Sequence, residues 1–222
     1  MQNFDTPAAI VTLLAVPAGR IRLVAAERAD TTVEIRPADA SESRDVKTAE
    51  QTEVTYTDGV LRIEVPKPKN GDTFGNTGSI EVTVQLPAGS RVEAEAAATE
   101  LRAVGRLGDV AFQGAYQQIR IAEAASLTLT ATDGDIEVGR LTGSAEITTA
   151  RGDIRIAEAA GGTLALTTQK GDITVGAATG VSAVLDAGTA YGRVTNSLKN
   201  DGTPGLSIRA TTAYGDIAAR SL

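Results

Sequence analysis

From Val92 onward the chain alternates apolar residues with polar or small ones in short runs, and glycine interrupts the runs at near-regular intervals. Gly134-Asp135-Ile136-Glu137-Val138 recurs as Gly152-Asp153-Ile154-Arg155-Ile156 and as Gly171-Asp172-Ile173-Thr174-Val175, with the glycines 18 and 19 residues apart. Gly192-Arg193-Val194 and Gly215-Asp216-Ile217 continue the series. A second class of short strands lies between them: Leu127-Thr128-Leu129, Ala145-Glu146-Ile147, Leu164-Ala165-Leu166, Ala183-Val184-Leu185 and Leu206-Ser207-Ile208. Period-2 alternation marks half-buried strands, and self-similarity at a fixed spacing marks stacked repeats.

The pattern predicts an all-β chain. Residues 91–222 are expected to form a two-sheet parallel β-solenoid with rungs of about 18 residues, each rung contributing one strand to each sheet. Stacked in chain order, the inward positions make two ladders. One is Ile136, Ile154, Ile173, Val194 and Ile217; the other is Leu129, Ile147, Leu166, Leu185 and Ile208. Glycine permits a positive φ at each turn, and the Asp beside it can accept a backbone N–H. The chain ends just after Ile217, which predicts an uncapped last rung.

Residues 1–90 are expected to form an antiparallel, sandwich-like β cap. Its candidate strands are Ile10–Val16, Arg20–Ala25, Thr31–Ile35, Thr52–Tyr56, Val60–Val65 and Ser79–Leu86. Thr57-Asp58-Gly59 predicts a tight hairpin. Two polar stretches, Ser41 to Glu53 and Pro66 to Gly78, read as loops.

Composition narrows the chemistry. Of the 222 residues 42% are hydrophobic but only 3% aromatic, which suits a thin core of Ala, Val, Ile and Leu. The chain has no cysteine and no histidine, so disulfides, thiolate or imidazole metal sites and His-dependent nucleophilic catalysis are excluded. A net charge of -7 without a basic cluster argues against nucleic acid. No apolar run is long enough for a membrane-spanning helix. The opening Met1-Gln2-Asn3-Phe4-Asp5 lacks the basic start of a secretion signal, so the expectation is cytoplasmic as written, or secreted if a signal was removed.

Three features could carry chemistry. Asp135, Asp153 and Asp172 stack into a carboxylate ladder that could take a cation or, with Arg193, an acidic sugar; turn capping is the competing use. The 66–78 loop holds Lys67, Lys69 and Phe74, a candidate partner contact. Thr130, Thr148 and Thr167 align outward and could order water, although good strand chemistry explains them equally. No catalytic set and no cofactor site emerges.

Ile80-Glu81-Val82-Thr83-Val84-Gln85-Leu86-Pro87-Ala88-Gly89, followed by the Gly-Asp-Ile rungs, resembles the bacterial DUF4097 family of candidate adhesins and β-strand-repeat proteins, related to the Toastrack domains. The repeat, the missing catalytic residue types and the uncapped last rung point to a non-enzymatic structural or interaction module, as the resemblance also implies. Its partner would be an unknown protein or another copy docked on the solenoid edge, reached in part through the outward residues Arg102, Arg120, Glu137 and Arg155. Two alternatives stand beside it: a carbohydrate or cation binder using the Asp ladder, and a component of envelope-stress regulation, as the resemblance implies for some members.

Overall fold

A computed structural model describes residues 1–66, 77–116 and 118–222. The described chain is all-β apart from one short helix, and divides into two compact units, Met1–Tyr116 and Gln117–Leu222.

The first unit contains β1 (Gln2–Asp5), β2 (Val11–Ala15), β3 (Ala18–Ala26), β4 (Asp30–Pro37), α1 (Ser43–Gln51), β5 (Glu53–Thr57), β6 (Val60–Glu64), β7 (Ile80–Pro87) and β8 (Arg91–Tyr116). Strands β2 to β7 lie within a residue or two of the bounds that alternation predicts, whereas β1 was not among the candidate strands. Asp58 and Gly59 both have positive φ, 50° and 78°, and close the β5–β6 hairpin.

The pairing in this unit is mixed rather than purely antiparallel. One ladder runs β1–β4–β7–β3–β8 and the other β5–β6–β2–β8. The β3 strand is parallel to both of its neighbours, and so is β2. The consecutive strands β2 and β3 therefore insert between the β6–β7 and β8 levels. The physical reason is burial on both edges: Ile21, Leu23 and Leu14 are buried and need strands on either side.

The stretch read as a polar loop from Ser41 to Glu53 is largely the helix α1. It buries only Thr48 and has no side-chain N-cap. It is held by tertiary bonds instead. The Ser79 N–H donates to Asp45 Oδ1 at 2.8 Å, and the Gly78 N–H donates to Thr48 Oγ1 at 3.0 Å.

The second unit contains β9 (Ile119–Asp133), β10 (Ile136–Leu141), β11 (Ala145–Arg151), β12 (Ile154–Ala159), β13 (Gly162–Lys170), β14 (Ile173–Ala177), β15 (Ala183–Tyr191), β16 (Val194–Ser197), β17 (Leu206–Tyr214) and β18 (Ile217–Ser221). All of its pairings are parallel. One ladder runs β9–β10–β12–β14–β18–β16 and the other β9–β11–β13–β17–β15.

The chain-order stacking is corrected here. The last rung in sequence, β17 with β18, sits inside both ladders, and the preceding rung, β15 with β16, forms their outer edge. The first inward column runs Ile119, Ile136, Ile154, Ile173, Ile217, Val194. On the other ladder Leu185 aligns with Ile208 and Leu164, whereas Leu129, Ile147 and Leu166 continue into Ala210 and Ala187.

A polar residue explains the inversion. The next inward column is Ile121, Val138, Ile156, Val175, Ala219 and then Asn196. An amide buried mid-column without a partner costs a few kcal/mol, so Asn196 is tolerated only where water reaches it. The rung carrying Asn196 therefore belongs at the edge, and Ile217 and Ala219 fill the interior place.

Candidate interaction surface

The edge rung is where the second unit stops being self-satisfied. Among the described residues β15 pairs only with β17, and β16 only with β18. At the start of β15 the Ala183 N–H donates to Lys199 O at 2.9 Å, so the loop after β16 covers one position. Beyond it the outer edge of β15 has no strand partner among the described residues. Among the described residues, apart from Met1 and Leu222 at the chain ends, the exposed large apolar side chains are Val104 and four on or beside this rung: Val184 (38% exposed), Tyr191 (67%), Val194 and Tyr214. Tyr191 and Tyr214 stack with centroids 4.9 Å apart and planes within 4°. In the first unit, by contrast, Phe4 on the edge strand β1 packs half-buried against Tyr56 on the edge strand β5, with centroids 5.4 Å apart.

The predicted carboxylate ladder exists in the order Asp135, Asp153, Asp172, Asp216, with Arg193 last rather than between the last two. Each carboxylate caps the neighbouring rung. The Asp153 N–H donates to Asp135 Oδ1 (2.9 Å), that of Asp172 to Asp153 Oδ1 (2.8 Å), that of Asp216 to Asp172 Oδ1 (2.7 Å) and that of Arg193 to Asp216 Oδ1 (2.8 Å). These oxygens already hold backbone protons, which is the turn-capping use. Among the described residues no group of three His, Cys, Asp or Glu is arranged to hold a metal ion.

A second corner ladder was not visible in the alternation. Thr149, Thr168 and Thr212 are buried. The Thr168 hydroxyl donates to Gly152 O at 3.1 Å, Thr212 to Gly171 O at 3.0 Å and Thr189 to Gly215 O at 3.0 Å. The signal was present as a Thr three residues before each Gly of those turns, at Thr149, Thr168, Thr189 and Thr212.

Other predicted contacts fare differently. Lys67, Lys69 and Phe74 lie outside the described residues. Glu137 aligns with Arg120 on one side and Arg155 on the other, and it pairs with Arg120 at 3.0 Å. Exposed pairs of this kind contribute at most about 1 kcal/mol. The outward Thr130, Thr148 and Thr167 do share a row, which Thr211 extends and Gly188 ends.

Asp216 ties the edge rung to the interior. Its carboxyl is held below the usual Asp range, first by the Arg193 backbone N–H and then by the Arg193 side chain, whose guanidinium donates at 3.0 Å. A depressed folded-state value means the stabilisation is complete above the ordinary carboxylate range and is lost as pH falls through the depressed value. The stability advantage of wild type over Asp216→Asn is expected to be constant above the ordinary carboxylate range and to shrink as pH falls below it, read by denaturant unfolding at each pH.

A family model described as Toastrack DUF4097 matches residues 15–221. The chain belongs to that family. No curated protein matches it. Among solved structures, a candidate adhesin from Bacteroides fragilis is 16% identical, with 98% of this chain and 95% of that one covered at a TM-score of 0.56. A candidate cell adhesion protein from Clostridium sporogenes is 14% identical, with 100% and 98% covered at a TM-score of 0.44. The first likeness establishes a shared fold between this DUF4097 chain and the Bacteroides protein. Among the described residues of the chain, no helix is long and apolar enough to cross a membrane.

Proposed function

We propose that this DUF4097 chain is a non-enzymatic interaction module, adhesin-like in the sense of the Bacteroides protein whose fold it shares. In this reading the ladders of the second unit pack face to face as a two-sheet parallel solenoid, and the working surface is its outermost rung. The observation that carries the reading is that rung itself. Two strand edges lie open beside exposed Val184, Tyr191 and Val194, in a chain that caps its own turns. Open strand edges are templates for another chain, and proteins that do not use them blunt them with Lys, Pro or a covering segment. Neither β15 nor β16 contains a Lys or a Pro.

Cross-linked capture from cells of the native host tests this, with wild type and a Val184→Lys/Thr195→Lys double variant as baits. The expected result is a partner, or further copies of the chain, held by wild type and lost by the variant. Equal capture by both baits, or none by wild type, overturns the reading. No observation favours the Asp ladder as a second reading: its Oδ1 atoms accept backbone N–H bonds, the turn-capping use.

A further inference from the structure

Resting on that reading, we propose that the occupant of the β15–β16 edge is a second copy of this chain, joined about a two-fold axis so that each edge strand gains an antiparallel mate. A two-fold axis perpendicular both to the direction in which the rungs stack and to the strands turns one open end onto another and reverses strand direction. Antiparallel pairing tolerates this reversal, and the association closes at two copies instead of growing into a fibre.

Size and charge favour this occupant. The nine residues of β15 rise about 3.3 Å each, and packed sheets lie about 10 Å apart. With outward side chains included, the end face is roughly 600 Å² per copy, so a pair buries roughly 1,200 Å², the lower bound for a specific stable interface. The chain as a whole carries a charge of -7 and repels itself. The edge rung does not: from Ala183 to Ser197 the only charged residues are Asp186 and Arg193, one of each sign. Asn196, Thr195 and Ser197 on β16 and the exposed Tyr191 supply polar groups that pair equally well with their own copies. Val184 and Val194 supply the apolar area.

Sedimentation equilibrium of the full chain over a wide concentration range tests the proposal, using wild type, Val184→Lys/Thr195→Lys, Asp186→Lys and, as a control, Val104→Lys. Val184, Thr195, Asp186 and Val104 are all exposed, so the variants keep their fold, checked by far-UV circular dichroism. Wild type and Val104→Lys are expected to form dimers, and the double lysine variant to raise the dissociation constant at least tenfold. Asp186→Lys weakens the dimer at low salt and recovers at high salt, because each edge then carries two positive charges instead of one charge of each sign. Wild type that stays monomeric throughout, or a double variant that dimerises as well as wild type, overturns the proposal. A monomeric wild type that still captures a different partner through the edge in host cells overturns only the self-pairing and leaves the interaction reading standing.

Discussion

Ile217→Ala is expected to cost about 2–5 kcal/mol of unfolding free energy, whereas Val194→Ala costs less than about 1 kcal/mol. Ile217 is 1% exposed between Ile173 and Val194, although it lies only five residues before the end of the sequence. Truncating it opens a cavity with packed neighbours on both sides. Val194 is 46% exposed and has one strand neighbour, so its methyl groups are largely in water already. If rungs stacked in chain order the ranking would reverse, because Ile217 would be terminal and Val194 interior. Denaturant unfolding of the two variants decides between the orders, with equal or inverted costs contradicting the inserted rung.

Gly171→Ala is expected to destabilise by about 3 kcal/mol or more, from backbone strain and overpacking together. The glycine sits at φ +153°, and a Cβ there would lie 2.1 Å from the Gly152 carbonyl oxygen of the adjacent rung. That carbonyl is fixed by the Thr168 hydroxyl and cannot retreat without breaking the corner ladder. Gly202→Ala separates the two contributions. Its φ is +96°, but nothing lies within 4 Å of the new Cβ, so only the backbone term of about 1 kcal/mol remains. Comparable unfolding midpoints for the two variants would show that the rungs do not approach as closely as the corner geometry requires.

Strand position and facing were legible because alternation reports them directly. Ile136, Ile154 and Ile173 share a column as the repeat predicts, and the Asp-turn use was readable from Gly-Asp alone. What alternation does not report is which strand lies next to which. Parallel strands joined by a crossing loop can pair with any level, and the 198–205 segment is long enough to carry the chain back past its own edge. The clue was chemical rather than periodic: Asn196 occupies a slot that every other rung fills with Ile, Val or Ala. Helix α1 escaped for a related reason. It is held by Asp45 and Thr48 bonding to Ser79 and Gly78, contacts made some thirty residues away in sequence, and not by an apolar stripe. An open edge was anticipated but assigned to the last rung in sequence, because rungs were counted in sequence order, whereas β15 and β16 form the outer edge.

Backbone hydrogen exchange at low and high protein concentration tests the central claim most directly. Exchange reports local opening amide by amide. Slow exchange is expected for the core amides of β17 and β18 at both concentrations, as for β13 and β14. Fast exchange is expected for β15 and β16 in dilute protein, with protection of those same strands when the protein is concentrated. Fast exchange in β17 and β18 with β15 and β16 protected at every concentration would contradict that claim.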